Sequence, residues 1–170
     1  MEYRSEQLLS QEGMTASLTR FAHLMSTGLG LAGNTLEVPA FNAKMPPVFV
    51  RCSFEQNTLV YRYEVEPWMA NPGGAIHGGM AATMLDTTMG ALSYYMAGEK
   101  LTPTITMKVD YVAPGLMHLP VYVGCKCTRC GGTMAYITCK AWQADEEKPF
   151  ATADGVYYTA GPKADLSHLP

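Results

Sequence analysis

The longest apolar segment of the sequence runs from His77 to Met96 and strongly limits the possible folds. Asp86 is the only formally charged residue within it, and Gly98 follows it as a helix stop signal. Polar residues do not gather on one side of a helical projection, so the segment predicts a helix that is buried nearly all round. Such a helix has to be surrounded by the other elements of the fold.

Segments that alternate apolar and polar residues flank this helix and predict β-strands. The predicted strands are residues 48–54, 59–65, 104–112, 121–128, 134–142 and 150–159. The pair Gly131-Gly132 predicts a two-residue hairpin turn. Strands, one very apolar helix and then strands in successive hairpins indicate an α+β fold, in which a curved antiparallel sheet wraps around a central helix.

The N-terminal part of the chain predicts one further helix. Residues 1–14 are polar and are expected to be loosely held, whereas apolar residues at helical spacing predict an amphipathic helix over residues 15–27, ending at Gly28. The segment from there to Pro47 is rich in Gly, Pro and Asn and predicts a linker. We therefore expect an N-terminal helix and linker extension at 1–47, a main domain at 48–160 and a C-terminal tail at 161–170.

The composition restricts the class of protein. With 170 residues, 48% of them apolar and 16% charged, the chain can form one globular domain with a substantial core. A net charge of -3 leaves no basic surplus, which argues against a general nucleic-acid binder. The N-terminus carries both charge signs, and no neutral apolar run reaches the ~20 residues of a membrane span. We expect a soluble protein of the cytoplasm that binds neither nucleic acid nor membrane.

The five cysteines predict neither a disulfide framework nor a metal site. Their number is odd, and the chain is large enough to fold without covalent cross-links, so reduced thiols are expected. Cys125, Cys127 and Cys130 are closely spaced, but no ligand pair of zinc-like spacing accompanies them. Cys125 and Cys127 share a strand face with Val121 and Val123, which favours core packing.

Two glycines, Gly78 and Gly79, stand where the central helix begins. Glycine destabilises a helix interior by roughly 1 kcal/mol per residue, so the presence of two glycines here requires an explanation. Without side chains, they allow a ligand atom to approach the free N–H groups of the first turn, where the helix dipole favours negative charge. Such a site would serve as an oxyanion hole for a thioester carbonyl. The alternative is that the glycines only permit close packing of the helix on the sheet.

Asp86 lies in a helix that is predicted to be buried. A buried carboxylate without a partner costs several kcal/mol, so such residues are usually paired or functional. The alternative to a functional role is a hydrogen bond to the backbone or to a threonine hydroxyl such as that of Thr87. Asp86 is nine residues beyond His77, roughly 13 Å along a helix axis. If both ends act on one carbonyl, they must come from two copies of the chain with antiparallel central helices.

The segment around the helix resembles the PaaI-like acyl-CoA thioesterases of the hotdog superfamily. The matching features are an asparagine six residues before a His-Gly-Gly triplet, an acidic residue nine beyond the histidine, and a glycine four residues later: Asn71, His77, Gly78, Gly79, Asp86 and Gly90. The likeness continues through the strand from Thr104 to Pro114 and covers about residues 48–160. It implies the hotdog fold and hydrolysis of an acyl-CoA, without a cofactor, by a homodimer or a dimer of dimers.

The resemblance also implies roles for individual residues. Asp86 corresponds to the general base or nucleophile of the family, and Gly78 to the backbone donor that polarises the thioester carbonyl. Asn71 corresponds to a side chain that orients the substrate or the attacking water, and Thr104 stands where many relatives have Ser or Thr near that water. His77 is expected to fix the turn by hydrogen bonds and, with Gly79, to line the substrate site.

Several alternatives remain at this point. The chain could be a hydratase or dehydratase of the same fold, or a noncatalytic acyl-CoA sensor. Lys126 and Arg129 could contact the phosphates of CoA, or they could belong to a solvated strand face. The twelve methionines indicate an adaptable apolar pocket and do not reveal the acyl group.

Overall fold

The computed structural model describes residues 5–27 and 41–164. In these ranges, six strands form one antiparallel sheet in the order β1-β2-β4-β5-β6-β3. The strands are β1 (Val48–Ser53), β2 (Thr58–Tyr63), β3 (Thr104–Tyr111), β4 (Val121–Cys130), β5 (Met134–Trp142) and β6 (Ala151–Tyr158). Each coincides with a strand predicted from alternation, with small differences at the ends. The Gly131 N–H donates to Met134 O at the β4–β5 turn, within the predicted hairpin.

A long central helix, α3 (Gly78–Met96), packs against the inner face of this sheet. It contacts β2, β3, β4, β5 and β6, so it crosses beneath nearly the whole sheet between the two edge strands. Its buried side chains form the centre of the core; they include Met84, Leu85, Met89, Leu92 and Tyr95. The predicted α+β architecture, a curved antiparallel sheet around a central helix, is therefore confirmed.

The central helix, which was expected to be buried nearly all round, is buried except along one face. One face of α3 keeps partial exposure in the described chain, and its residues recur every three or four positions: Gly79, Ala82, Thr83, Asp86 and Gly90. These side chains are small and mostly uncharged, so a search for clustered polar residues does not detect them. We call these five residues the open face of α3.

An N-terminal helix, α1 (Gln11–Thr27), begins four residues earlier than predicted. Ser10 explains the difference, because its side-chain oxygen accepts a hydrogen bond of 2.9 Å from Gly13 N and so caps the first turn. The helix packs against β1 and α3 and buries Met14, Leu18 and Phe21. The buried Tyr61 hydroxyl donates a 2.6 Å hydrogen bond to Leu18 O. Residues 11–14 are thus part of the packed structure.

The end of α3 is fixed by the predicted stop signal. Gly98 adopts a φ of 75° and its N–H donates to Tyr95 O at 3.0 Å, the arrangement that satisfies the last carbonyls of a helix. Glu99 follows with a φ of 63°, and its carboxylate accepts hydrogen bonds from Ser17 and Arg20 of α1. These contacts join the end of the central helix to the N-terminal helix.

The predicted linker and tail are described only in part. A short helix, α2 (Phe41–Lys44), lies in the linker, whereas the proposed stop at Gly28 falls outside the described residues. At the tail, the Ala164 N–H donates to Glu99 O at 3.0 Å. None of the helices in the described ranges combines the length and the hydropathy needed to cross a membrane.

The cysteines of β4 and β5 belong to the core. Cys125, Cys127 and Cys139 are buried on the sheet face that α3 covers, and none of the five cysteines forms a disulfide. Cys125 and Cys139 are direct neighbours across the two strands. The prediction of core packing is confirmed for Cys125 and Cys127.

Candidate active site

The loop before α3 is held by a chain of short-range hydrogen bonds. The Asn71 side-chain oxygen accepts from Gly73 N at 2.9 Å and from Ala75 N at 3.1 Å. Gly74, between these donors, has a φ of 79°, a conformation that favours glycine. The Asn71 amide therefore shapes the turn that leads into the helix, and it also lines the adjoining cleft.

His77 caps the helix that follows this loop. Its ring Nδ1 accepts a hydrogen bond of 3.0 Å from Gly79 N, and its backbone carbonyl accepts from Met80 N and Ala81 N. A Cβ atom at position 79 would lie 3.1 Å from His77 Nδ1, so glycine gives the ring room to reach the backbone. His77 thus accepts hydrogen bonds from three N–H groups of the first turn, those of residues 79–81.

The remaining N–H of that turn belongs to Gly78. Within the described residues it has no hydrogen-bond partner, although it lies at the positive end of a 19-residue helix. The ring of Tyr111, on β3, covers the same residue, and its hydroxyl donates to Gly78 O at 2.8 Å. A Cβ at position 78 would lie 3.2 Å from Tyr111 Cζ, so close packing and an accessible N–H both explain this glycine.

A mostly apolar cleft of about 420 Å³ opens beside Gly78. Its walls come from the loop before α3, the first turn of α3 and the segment that follows β3. The lining side chains include Ile76, Ala81, Tyr111, Pro114 and Phe150. A cleft of this kind can hold an uncharged acyl or thioester group next to the helix N-terminus.

Asp86 lies near the middle of α3 on the open face and is partly buried. Two hydroxyl groups donate to the same carboxylate oxygen, Oδ1: that of Thr104 at 2.9 Å and that of Tyr157 at 2.8 Å. Thr104 on β3 and Tyr157 on β6 are direct neighbours across the two strands. The hydrogen bond to a threonine hydroxyl that was considered as the alternative for Asp86 is therefore present, but it comes from Thr104, whereas Thr87 directs its hydroxyl to Asn42 Oδ1 at 3.4 Å.

Tyr157 was not among the predicted site residues. It is one of several aromatic residues in alternating strands, and nothing in its local sequence separates it from an ordinary core tyrosine. Burial, and then the negative charge of Asp86, raises the pKa of Tyr157 well above the usual range for tyrosine. Its hydroxyl therefore stays protonated and acts as a donor to the carboxylate.

The structure places the predicted site residues in two groups. Asn71, His77, Gly78 and Gly79 lie together at the start of α3, whereas Asp86 and Thr104 lie together further along the helix. Asp86 is eight residues beyond Gly78, which corresponds to roughly 12 Å along the axis. Within one chain, the two groups are therefore too far apart to act on the same carbonyl group.

Lys126 lies away from both groups. It alternates with Cys125 and Cys127 on β4, so its side chain is on the exposed sheet face that does not contact α3. There it borders a second cleft of about 340 Å³, together with Arg51, Lys140 and Glu146. Arg129 is also exposed, next to an irregularity in the β4–β5 pairing.

Comparisons with known proteins agree with this fold. The family model of the Thioesterase superfamily matches residues 73–150, which include the start of α3, Asp86 and Thr104. A curated relative, acyl-coenzyme A thioesterase THEM4 of Xenopus laevis, is 28% identical over 112 residues, or 64% of this chain and 50% of the relative. The chain thus spans about half the length of that relative.

Two solved structures share the fold at low sequence identity. The PaaI protein from the phenylacetic acid degradation operon of E. coli has a TM-score of 0.68 and 14% identity, covering 88% of this chain and 98% of PaaI. The smu.793 protein of Streptococcus mutans UA159, solved with acetyl CoA, has a TM-score of 0.61 and 21% identity, covering 76% of this chain and 99% of smu.793. Residues 73–150 thus resemble the Thioesterase superfamily, and the sheet and central helix of the chain form the hotdog fold.

Proposed function

We propose that the chain hydrolyses an acyl-CoA thioester to the free acid and CoA, at a site shared between two copies of the chain. The observation that carries this proposal is that one helix presents both a Gly78 N–H, which has no hydrogen-bond partner among the described residues, and farther along an Asp86 carboxylate that accepts from two hydroxyls. Hydrolysis of a thioester needs a donor for the carbonyl oxygen and a base or nucleophile for the carbonyl carbon. The match to the Thioesterase superfamily over both residues supports the assignment.

The reaction follows from these two groups. The thioester carbonyl oxygen accepts a hydrogen bond from Gly78 N–H, where the helix dipole stabilises the negative charge that develops on it. Asp86 removes a proton from a water molecule as its oxygen attacks the carbonyl carbon. The tetrahedral intermediate then breaks its C–S bond, and the departing CoA sulfur takes the proton from Asp86. If Asp86 instead acts as the nucleophile, its oxygen adds to the carbonyl carbon, the C–S bond breaks and CoA leaves as the thiolate. Water then hydrolyses the acyl anhydride, which releases the acid, restores the carboxylate and supplies the proton that the thiolate takes up.

Two copies of the chain complete the site because Gly78 and Asp86 of one copy are roughly 12 Å apart along the axis. If the open faces of two α3 helices pack antiparallel about a two-fold axis, Gly78 of each copy approaches Asp86 of the other. The exposed edge strand β3 supports this arrangement, since Ile105 and Tyr111 are 51% and 52% exposed in one chain. Unpaired strand edges readily pair with another copy. Such dimers can pair further into tetramers.

The remaining residues have supporting roles in this proposal. Asn71 shapes the loop and offers its amide at the cleft, where it orients the substrate or the water. His77 holds the first turn of α3, and Gly79 leaves space for that cap and for the substrate beside it. Thr104 fixes one oxygen of Asp86. An acyl-CoA substrate and reduced cysteines both fit a cytoplasmic location.

Release of free thiol from short, medium, long and aryl acyl-CoAs tests the proposal. The wild type should turn over at least one of them, and Asp86→Asn should lower kcat by about 100-fold or more. Asp154→Asn is the matched control, because Asp154 is exposed on the outer face of β6, and it should behave as the wild type. Full turnover by Asp86→Asn would contradict the mechanism.

The same panel separates the other functions considered for this fold. Binding of an acyl-CoA without thiol release would support a noncatalytic sensor instead. Addition of water to a 2-enoyl-CoA, with the thioester left intact, would support a hydratase. Either result would replace the hydrolase assignment.

A further inference from the structure

The hydroxyl of Tyr157 lies within hydrogen-bond distance of two oxygen atoms of Asp86. Its hydroxyl lies 2.8 Å from Asp86 Oδ1 and 3.3 Å from the backbone oxygen of the same residue. Only 1% of the residue is exposed, so water does not compete for this hydrogen bond. Thr104 donates to the same Oδ1 from the neighbouring strand. Both hydroxyls therefore act on one oxygen of the carboxylate.

The position of the Tyr157 ring depends on a missing side chain at Gly155. A Cβ atom there would lie 2.8 Å from Tyr157 Cε2 and 3.1 Å from Met89 Sδ. Residue 155 shares the inner face of β6 with residue 157, so glycine creates the space into which the ring fits. The ring is thereby packed between β6 and α3, and its hydroxyl is directed at Asp86.

We propose that Tyr157 is a positioning residue of the hydrolytic reaction: together with Thr104 it holds Asp86 Oδ1, so that Oδ2 is the oxygen that takes the proton from water or attacks the carbonyl. This inference rests on the proposed function. A carboxylate that is held by two hydrogen bonds needs no rotation before it reacts. Tyr157 thus acts through Asp86 without contacting the substrate.

The other titratable groups around this contact come from three strands. Tyr63 of β2, Cys125 of β4 and Cys139 of β5 face Tyr157 or Asp86 from the core side. Burial raises the pKa of Tyr63 and of Cys125, so both remain neutral at physiological pH. In the neutral range, the charge next to Tyr157 is therefore that of Asp86.

The kinetic constants of thiol release test this role. Tyr157→Phe keeps the ring and removes the hydroxyl, so kcat should fall by about tenfold while KM changes by less than about twofold. This split is expected of a residue that orients the reacting carboxylate, whereas a general distortion of the site would change both constants. Tyr61→Phe is the matched control, since it also removes one buried hydroxyl but leaves Asp86 untouched. An unchanged kcat for Tyr157→Phe would overturn the inference.

An NMR measurement of the Asp86 carboxyl carbon separates this inference from the proposed function. If no thioester is hydrolysed by the wild type, the proposed function fails, yet the chemical shift of this carbon at one neutral pH still decides whether Tyr157 holds the carboxylate. A changed shift in Tyr157→Phe, with no change in Tyr61→Phe, supports that contact, and an unchanged shift overturns it. If Tyr157→Phe does not fold, 3-fluorotyrosine at position 157 retains the ring and strengthens the donor. The carboxyl shift should then change as well, and an unchanged shift would again overturn the inference.

Discussion

Tyr111 lies directly over Gly78, with its hydroxyl donating a 2.8 Å hydrogen bond to the Gly78 carbonyl oxygen. The two residues are 33 positions apart, one on the exposed edge strand and the other at the start of the central helix. Through this contact the edge strand holds the helix turn whose free N–H faces the cleft. The wall of the cleft and the proposed oxyanion hole are therefore one structural unit.

Gly78→Ala should lower turnover more than stability. The added Cβ would lie 3.2 Å from Tyr111 Cζ, and Tyr111 is 52% exposed, so its ring can yield and uncover the turn. We expect a stability loss of about 1 kcal/mol and a fall in kcat of about tenfold or more. Thiol release and urea unfolding measure the two effects. Gly131→Ala is the control, because its added Cβ would meet only Met134 O at 3.8 Å, and it should change neither turnover nor stability. Wild-type turnover by Gly78→Ala would argue against the oxyanion role.

A charge on the edge strand β3 should prevent assembly of the site. Ile105→Glu places a carboxylate at a residue that is 51% exposed in one chain, where strand edges would meet in the proposed dimer. We expect a folded monomer without thioesterase activity, seen by light scattering after size exclusion and by thiol release. The control, Val48→Glu, alters the opposite edge strand at a residue that is 47% exposed and should remain an active dimer. An active monomer of Ile105→Glu would exclude a shared site.

Stability should fall in alkaline solution. Burial raises the pKa of Tyr61 and Tyr63 above the ordinary value of 10.0, and Tyr157 is raised by burial and by Asp86. Above pH 10 the unfolded chain releases these protons and the folded chain keeps them. Each tyrosine therefore lowers the free energy of unfolding by up to about 1.4 kcal/mol per pH unit. Below that pH the contribution of these tyrosines to stability is fully present. Urea unfolding from about pH 8 to pH 11 measures the slope, which should decrease in Tyr63→Phe.

The N-terminal helix should contribute to the stability of the whole fold. Leu18 is fully buried between α1, the sheet and α3, so Leu18→Ala should destabilise the protein by about 2–5 kcal/mol. Thermal or urea unfolding with a single transition would show that α1 unfolds together with the sheet. Leu9→Ala is the control, since Leu9 is 37% exposed, and it should cost less than about 1 kcal/mol. Equal stability of Leu18→Ala and the wild type would indicate a separable extension.

The sequence by itself determined the positions of the central helix and the strands, and the candidate site residues that lie on that helix. An unbroken apolar run located α3, and the alternation that burial of one face imposes on a strand located the strands of the described sheet. The glycines after His77 and the carboxylate of Asp86 were recognised because each is unfavourable in a buried helix. Their spacing in the sequence alone placed them far apart along the helix axis. These properties depend on backbone geometry within a single segment.

The tertiary structure decided which distant residues meet these groups. Tyr157 and Asp86 are 71 residues apart, and their contact depends on the register that pairs Tyr157 with Thr104 across β6 and β3. A shift by one residue would turn Tyr157 to the other face, and no hairpin turn joins β3 to β6 that could set that register locally. The open face of α3 was hidden for the same reason, since the exposure of small residues depends on which elements cover them. Local periodicity specifies where a side chain points on its own element, whereas long-range packing specifies what it touches.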